Sequence, residues 1–299
     1  MLLKHLQYLT ALARERHFAR AAAACQVTQP TLSAGIKQLE EQLGLLVVQR
    51  GQRFEGLTAE GERVLAWAQR ITADAESLEQ EASRLRHVLE GRLRIGVVPT
   101  ALPAVPILAS PLARQYPGVK LTVISDPSVD IQAGLDEFRF EAGITYLENE
   151  PLSRVRSIPL YREQYLLITP AGGPLAGRTR VTWRQVAELP LCLLTPDMQN
   201  RRILNSHFAK AGVTVQPALE TNSVFTLCAL VRSGYWSSVL PHGFLPVLSG
   251  ADGVTTLRLE GPASHTVGVV VSDREPLQPT ATALLDVLDG LDWSSIEGK

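Results

Sequence analysis

The sequence has few cysteines and no long apolar run. Its three cysteines, Cys25, Cys192 and Cys228, are odd in number and widely spaced, which is not the pattern of a disulfide framework and favours a reduced protein. No segment reaches the roughly 20 consecutive apolar residues that a membrane-spanning helix requires. The N-terminal residues alternate polar and apolar side chains, whereas a signal peptide has an uninterrupted apolar centre. We therefore expect a cytoplasmic protein without a membrane partner.

Sequence motifs of the common enzyme classes are missing as well. The chain has no phosphate-binding glycine loop, no HExxH, no GxSxG and no paired-cysteine metal motif. Asp197 and Glu220 could approach the ligand cleft that is predicted below, but no other residue completes a catalytic set with them. We expect neither catalysis nor a bound cofactor or metal ion.

The whole chain has no excess charge of one sign. Its net charge is −1, which argues against indiscriminate binding to nucleic acids. The distribution is uneven, however, because residues 1–57 contain seven Lys and Arg against four Asp and Glu, and residues 58–90 contain four against seven. The basic excess therefore lies at the N-terminus, where contact with DNA phosphates would need it.

Between residues 18 and 37 the sequence FARAAAACQVTQPTLSAGIK predicts two helices joined by a tight turn. Residues 19–24 are predicted to form a short helix of small side chains, and the pattern ends at Gln26 and Val27. Thr28 is placed to cap a second helix that has Pro30 in its first turn. One face of this second helix is apolar, with the spacing of buried positions, at Leu32, Ile36, Leu39 and Leu43.

The opposite face of the second helix is polar, and such a helix can lie in the major groove of DNA. We expect Gln29 and Thr31 to reach base edges, because amide and hydroxyl groups can read them. The predicted DNA-contacting residues of this helix and its cap are Thr28, Gln29, Pro30, Thr31, Ser33 and Lys37.

A short strand-like run at residues 45–48 and the polar turn at 49–53 follow, and together they predict the wing of a winged helix. Arg50 and Arg53 would then contact phosphates beside the groove. Two solvated arginines in a loop are the alternative. The predicted DNA-binding domain spans residues 1–57.

The segment AAAACQVTQPTLSAGIKQLEEQLG, with Arg50 and the later LTAEG, resembles the N-terminal domain of LysR-type transcriptional regulators. The resemblance implies a double-stranded DNA operator as partner and makes RNA polymerase a further candidate partner. The family usually has an arginine after the TLS-like triplet, where this chain has Ala34-Gly35, and Leu-Phe where it has Val47-Val48. We expect the first departure to remove a DNA contact and to loosen the recognition helix.

Thr58 is predicted to cap a long helix that ends near residue 90, the linker between the two main parts of the chain. Its apolar positions alternate in steps of four and three, which is a heptad pattern, at Val64, Ala68, Ile71, Ala75, Leu78, Ala82, Leu85 and Leu89. One helix cannot bury so narrow a stripe alone. In the family the corresponding helix pairs antiparallel with its mate, which implies a homodimer, and the family commonly assembles further into homotetramers. The alternative is packing on the chain's own C-terminal domain.

From residue 91 strands and helices alternate, which predicts an effector-binding domain with a parallel sheet and crossover helices at residues 91–299. The alternation starts again near residue 164. Subdomain I comprises about 91–163 plus 267–299, subdomain II about 164–266, and two strand crossings near 162–166 and 265–269 join them. This part resembles the effector domain of LysR-type regulators, two Rossmann-like subdomains similar to periplasmic solute-binding proteins. The predicted fold class is α/β with an N-terminal all-α winged helix-turn-helix.

Three strand-to-helix connections in this domain carry hydroxyl or amide side chains, where helix N-termini favour an anion. The resemblance places Thr100, Thr195 and Asn222 in the effector cleft, and Arg201 can pair with a carboxylate. The candidate effector-binding residues are Thr100, Ala101, Thr195, Asn200, Arg201, Asn222 and Ser223. Plain helix capping is the alternative.

The sequence thus predicts a DNA-binding regulator that responds to a small effector, a carboxylate or another anion. A thiol switch through Cys192 and Cys228 is the competing hypothesis. Both cysteines lie in apolar segments without basic neighbours that would lower their pKa, which favours burial.

Overall fold

The computed structural model describes residues 2–49, 54–248, 253–261 and 264–297. The chain forms two compact units, Met1–Leu89 and Glu90–Lys299, which we call the N-terminal unit and the C-terminal unit. Among the described residues, no helix is long and apolar enough to cross a membrane.

The helices of the N-terminal unit are α1 (Leu3–Glu15), α2 (Phe18–Ala24), α3 (Gln29–Leu43) and α4 (Ala59–Leu85). α1 packs against the other three helices, and its Leu9 and Leu12 are fully buried with Leu32 and Leu39 of α3. The predicted helix-turn-helix is therefore present. Leu43, which the spacing had placed on the buried face, is 38% exposed because α3 ends there, before the left-handed Gly44.

The predicted strand at residues 45–48 is reduced to one bridge between Val48 and Leu57. The segment is held by Glu40 instead, whose Oε1 accepts hydrogen bonds from the backbone N–H groups of Val47 at 2.8 Å and Val48 at 3.1 Å. Both valines are buried. The Val47-Val48 departure from the family pattern therefore supplies core side chains at the base of the predicted wing.

Gly35 does not loosen α3, contrary to the expectation from the sequence. The helix is continuous from Gln29 to Leu43, and Gly35 is buried in its middle. A Cβ atom at this position would lie 2.6 Å from Cδ2 and 2.8 Å from Cε2 of Tyr8 in α1. The glycine is therefore the site of close approach between α1 and the recognition helix.

The C-terminal unit contains ten strands. They are β1 (Gly91–Val97), β2 (Val119–Ser125), β3 (Ala142–Tyr146), β4 (Val155–Pro170), β5 (Arg180–Val181), β6 (Cys192–Leu194), β7 (Leu219–Thr221), β8 (Ser238–Pro241), β9 (Val254–Leu259) and β10 (Ser264–Ser272). The larger sheet has the order β2-β1-β3-β10-β4-β9-β5, with β8 also paired to β4, and β6 pairs with β7. These counts refer to the described part of the chain.

The helices of this unit are α5 (Val105–Gln115), α6 (Ser128–Asp136), α7 (Trp183–Ala187), α8 (Gln199–Lys210), α9 (Val224–Arg232), α10 (Leu245–Leu248) and α11 (Pro279–Leu288). Short 3-10 helices occupy Pro99–Ala104 and His242–Phe244. The sheet is mixed and not purely parallel. β1 is parallel to β2 and β3 as predicted, but β10 runs antiparallel to β3 and β4.

Strand β4 joins the two subdomains. Its first part, up to Gln164, pairs with β10, and its last part, from Tyr165, pairs with β8 and β9. The change of partners falls at the predicted crossing near residues 162–166. The strand starts earlier than the sequence indicated. The start was missed because polar residues in the first half of β4 and Pro159 break the apolar alternation that marks a strand.

Candidate DNA-binding surface and effector site

The start of α3 presents the predicted DNA-contacting side chains to solvent. Gln29, Pro30 and Ser33 are exposed. Thr28 caps the helix, since its Oγ1 accepts from the backbone N–H of Thr31 at 3.3 Å. The hydroxyl groups of Thr28 and Thr31 are also hydrogen-bonded to each other at 2.8 Å. Thr31 is therefore partly committed to the cap, whereas the Gln29 amide lies on the open surface.

Three cationic residues were predicted to contact DNA, Lys37 on the face of α3 and Arg50 and Arg53 at phosphates beside the groove. Lys37 is exposed, and its Nζ lies 3.7 Å from Oε1 of Glu41. A surface ion pair of this kind contributes little to stability, so Lys37 can exchange Glu41 for another anion. Arg50 and Arg53 lie outside the described residues, so their assignment stays a prediction.

The apolar row of α4 divides into two parts. Val64 and Ala68 pack into the core of their own N-terminal unit, where Ala68 is fully buried. Farther along, Ile71 is 37% exposed, Leu78 70% and Leu85 72%. Thr58 caps the helix as predicted, by accepting from the backbone N–H of Gly61 at 2.8 Å.

The second part of this row is the section that a partner helix could cover. Ala75 is half-buried and Ala82, two turns later, is exposed. Trp67 adds a further exposed apolar side chain one turn before Ile71. α4 ends at Leu85, so Leu89 is not on the helix and is instead buried.

In the C-terminal unit, candidate effector residues from the two subdomains meet at one hydroxyl group. Thr100 lies in the 3-10 helix after β1 and is 2% exposed, and its Oγ1 is 2.8 Å from the hydroxyl of Tyr146. Asn200, in the first turn of α8, donates from Nδ2 to the same hydroxyl at 3.4 Å. Ala101 is buried next to Thr100. The predicted convergence of Thr100 and Asn200 is thus present in the structure.

Tyr146 belongs to a buried polar cluster that the sequence analysis missed. Its hydroxyl donates to Oε1 of Glu163 and accepts from the hydroxyl of Tyr165 at 3.0 Å. Burial raises the pKa of Glu163 to about 8, so its carboxyl group is mostly protonated at neutral pH. Oε2 of Glu163 is buried and has no hydrogen-bond partner among the described residues. A glutamate that alternates with Tyr161 and Tyr165 on a strand was the available signal.

Thr195 and Arg201 lie on the subdomain II side. Oγ1 of Thr195 is buried and lacks a hydrogen-bond partner in the described part of the chain. The guanidinium group of Arg201 is buried and donates from Nη1 to Oε1 of Glu220 at 2.7 Å and to the carbonyl of Leu194 at 2.8 Å. Through these contacts Arg201 bridges β6 and β7, so its guanidinium group is already bound within the fold.

The third connection fits the capping alternative more closely. Ser223 caps α9, because its Oγ accepts from the backbone N–H of Thr226 at 3.3 Å. Asn222 beside it is exposed. In the described part of the chain, neither residue is hydrogen-bonded to Thr100 or Tyr146.

Helix α8 makes several hydrogen bonds from subdomain II to subdomain I. Gln199 accepts from the hydroxyl of Thr145 at 3.2 Å and donates to the carbonyl of Glu148 at 3.2 Å. Near the other end of the helix, Nε2 of His207 lies 3.0 Å from Nε2 of His265 in β10. Burial, then the charges of His265 and Lys210, lower the pKa of His207 to about 4. α8 therefore contacts subdomain I through the Gln199 amide at its start, and its far end contacts β10 at His265, beside the predicted strand crossing.

The two cysteines of the thiol hypothesis are buried in one apolar cluster with Met198 and Leu240. Burial raises the pKa of Cys192 to about 11, and it also raises the pKa of Cys228. The Cys192 thiol donates to the carbonyl of Ser237 at 3.6 Å, which favours its protonated form. At neutral pH about one Cys192 in 10,000 would be a thiolate, the form that reacts with oxidants.

An exposed recognition helix, a linker helix with an exposed apolar row and an α/β unit of two subdomains define a DNA-binding regulator with a ligand-binding domain. The chain belongs to the LysR family. Residues 3–62 match the family model of the bacterial regulatory helix-turn-helix protein, lysR family, and residues 86–291 match the LysR substrate binding domain. It is a LysR-type transcriptional regulator, and the fold expected from the sequence is confirmed.

Several relatives have names that refer to hydrogen peroxide. The chain is 33% identical to a probable hydrogen peroxide-inducible genes activator of Mycobacterium avium over 81% of this chain and 78% of the relative. It is 29% identical to the DNA-binding transcriptional dual regulator OxyR of Escherichia coli over 96% and 95% of the two chains.

Solved structures agree with this assignment. A full-length OxyR mutant of Pseudomonas aeruginosa has a TM-score of 0.78 and 28% identity, covering 99% of this chain and 96% of that one. CbnR in complex with its target DNA has a TM-score of 0.68 over 97% of this chain and 99% of that one. Its identity of 20% makes it a match in fold alone.

Proposed function

We propose that this regulator binds its operator as a homodimer and that a small carboxylate, or another small anion, changes that binding from a site between the two subdomains of the C-terminal unit. The proposal includes no catalytic step. At a promoter such a dimer, or a tetramer built from it, would act beside RNA polymerase.

The DNA-reading role is supported by the exposed start of α3. The Gln29 amide and Ser33 hydroxyl are free to face a groove, and Lys37 can exchange its weak contact with Glu41 for a phosphate. Two such helices on a dimer would read a partly palindromic operator with half-sites spaced by whole helical turns.

Dimerisation is supported by the exposed row Ile71, Leu78 and Leu85. Three large apolar side chains on one helix face cost free energy while they remain in water, and a second copy of the same helix would cover them. Antiparallel pairing would place each small Ala75 or Ala82 opposite a larger side chain of the mate.

The effector site rests on one observation, the meeting of Thr100 and Asn200 at the hydroxyl of Tyr146. These residues come from different subdomains, so a ligand that competes for their hydrogen bonds binds one subdomain arrangement more tightly than another. Oγ1 of Thr195 supplies a buried hydroxyl with no partner among the described residues. Because Glu163 is mostly protonated at neutral pH, its carboxyl group does not repel an anion there.

A thermal-shift screen of small carboxylates on the full chain tests this site. Thr100→Val keeps the shape of the side chain and removes its hydroxyl, and it should abolish the stabilisation that an effector gives. Thr122→Val, an exposed threonine on β2, is the matched control and should respond like the wild type. A carboxylate that stabilises Thr100→Val as strongly as the wild type binds elsewhere and would refute the assignment.

A response to peroxide is the second candidate, and the names of the relatives favour it at least as strongly. The burial and the raised pKa values of Cys192 and Cys228 oppose a direct thiol switch in the folded chain. Operator binding should be compared before and after peroxide treatment in the wild type and in the Cys192→Ser/Cys228→Ser double variant. A peroxide effect that the double variant loses would establish the switch and displace the effector proposal.

A further inference from the structure

A half-buried carboxylate already occupies a set of hydrogen-bond donors between the two subdomains. Glu150 follows β3, and its Oε1 accepts from Nε of Arg202 in α8 at 2.6 Å. Its Oε2 accepts from the hydroxyl of Ser128, the first residue of α6, at 2.9 Å. Nη2 of Arg202 also donates to the same hydroxyl at 3.2 Å. The two donors therefore contact each other as well as the carboxylate.

The position of Arg202 does not depend on Glu150. Its Nη1 donates to two backbone carbonyls in the connection between β6 and α8, those of Pro196 at 3.0 Å and Asp197 at 2.6 Å. Ser128 is 7% exposed and fixed at the start of its helix. Arg202 and Ser128 would thus remain in place if the Glu150 side chain left, and preorganised donors bind an anion at a lower entropic cost.

The site is accessible and Glu150 is charged. The side chains of Arg202 and Glu150 are 35% and 26% exposed, so a small solute can reach them. Burial raises the pKa of Glu150, but the hydrogen bonds from Arg202 and Ser128 and the charge of Arg202 together lower it below the usual value for glutamate. The donors are therefore filled by an ionised carboxylate at neutral pH.

We propose that Arg202 and Ser128 form a carboxylate-binding site that Glu150 fills from within the chain, and that a carboxylate effector binds there by displacing Glu150. The proposal rests on the proposed effector response and deepens it, since it gives the anion a cationic partner. Arg201 cannot serve in this way because its side chain is only 6% exposed, so a solute cannot reach the guanidinium group that Glu220 holds.

Displacement has a consequence for the two subdomains. Glu150 and Ser128 belong to subdomain I and Arg202 to subdomain II, so the Glu150 carboxylate is one of the links across the cleft. An effector carboxylate that replaces it removes the hydrogen bonds that join the Glu150 side chain to Arg202 and Ser128. The ligand thereby gains the donors of Arg202 and Ser128 and releases the Glu150 side chain from α8, while Gln199 still holds the Glu148 carbonyl.

Propionate is the matched probe, because it reproduces the end of a glutamate side chain without the backbone. Its affinity for the full chain should be measured by calorimetric titration in the wild type and in Glu150→Ala. A tethered carboxylate that fills the site in about nine molecules of ten lowers the apparent affinity for a competitor about tenfold. Removing it should therefore increase the affinity for propionate by about tenfold or more. Propionamide, which is neutral, should gain nothing.

The matched control is Glu137→Ala. Glu137 also pairs with an arginine, since its Oε2 lies 2.7 Å from Nε of Arg139, but it lies on an exposed surface. This variant should bind propionate no better than the wild type. Arg202→Gln in the Glu150→Ala chain should remove the gained affinity.

Equal propionate affinity in the wild type and in Glu150→Ala overturns the proposal, and so does a gain that survives Arg202→Gln. If Glu150→Ala does not fold, Glu150→Gln replaces it. The amide side chain carries no negative charge and cannot compete with propionate as an anion, so Glu150→Gln must also raise the affinity for propionate. These titrations contain no DNA. If Glu150→Ala gains propionate affinity while no carboxylate alters operator binding by the wild type, the effector response fails and the carboxylate site stands.

Discussion

The hydroxyl group of Tyr146 donates a hydrogen bond to the carboxyl group of Glu163, and the two residues lie on strands β3 and β4 with β10 between them. Glu163 is 1% exposed, and burial raises its pKa to about 8. The folded chain therefore retains a proton that the unfolded chain releases above the ordinary glutamate pKa of 4.5. This difference makes the stability of the C-terminal unit dependent on pH.

Stability should fall as the pH rises through 8. Between the unfolded and folded pKa values the native state binds more protons, so each pH unit lowers the free energy of unfolding. From pH 6 to pH 8 the loss due to Glu163 should be about 2 kcal/mol. Glu163→Gln, which imitates the neutral acid, should lack this loss. Urea unfolding of both chains at the two pH values measures the difference, and parallel pH profiles would contradict the assignment.

His207 provides the internal control, because its contribution has the opposite sign. Its pKa is lowered from 6.5 to about 4, so the unfolded chain takes up a proton that the native state excludes. Stability is therefore lost as the pH falls from 6.5 towards 4. This acid-side loss should appear equally in the wild type and in Glu163→Gln, and His207→Asn should reduce it.

Gly35→Ala should destabilise the N-terminal unit, although alanine is the better helix former. The new Cβ would lie 2.6 Å from Cδ2 of Tyr8, which forces α1 and α3 apart. Overpacking of this kind costs about 1–3 kcal/mol and exceeds the gain of about 1 kcal/mol in helix propensity. Thermal unfolding measures the change. Tyr8→Leu in the same chain should recover part of the loss, and a stabilised Gly35→Ala would contradict the close packing.

Much of this architecture follows from local patterns. The capped start of α3 was predictable because Thr28 and Pro30 are specific signals for a helix start, and the alternation of strands and helices identified the two subdomains. The pairing of Tyr146 with Glu163 was not predictable, because it depends on which strands become neighbours across β10. For the same reason the pairing of Glu220 with Arg201 and that of Glu150 with Arg202 were not predictable.

Gln29→Ala should weaken binding to the preferred operator by about 1–3 kcal/mol and binding to random DNA much less, because an amide that reads a base edge contributes only at the correct base. Fluorescence anisotropy with both DNAs at one salt concentration measures the two affinities. Gln42→Ala, at the exposed far end of the same helix, is the control and should bind like the wild type. Equal losses on both DNAs would remove Gln29 from base readout.

Charge in the exposed row of α4 should prevent dimerisation. Ile71→Glu with Leu78→Glu places like charges where a partner helix would pack, so analytical ultracentrifugation should detect a monomer with very weak operator binding. Ala66→Glu adds a charge at an exposed position of the same helix outside this row and should leave the dimer intact. A double variant that remains a dimer of normal operator affinity would contradict the assignment.

The operator affinity of the full chain, measured with and without a saturating carboxylate from the thermal-shift screen, is the most direct test of effector control. The wild type should change its dissociation constant by about fivefold or more, which corresponds to a coupling free energy of about 1 kcal/mol. Thr100→Val should show no change at the same ligand concentration, whereas Thr122→Val should respond fully. An unchanged affinity in the wild type at saturation, or an equal change in Thr100→Val, would contradict a carboxylate effector bound between the subdomains.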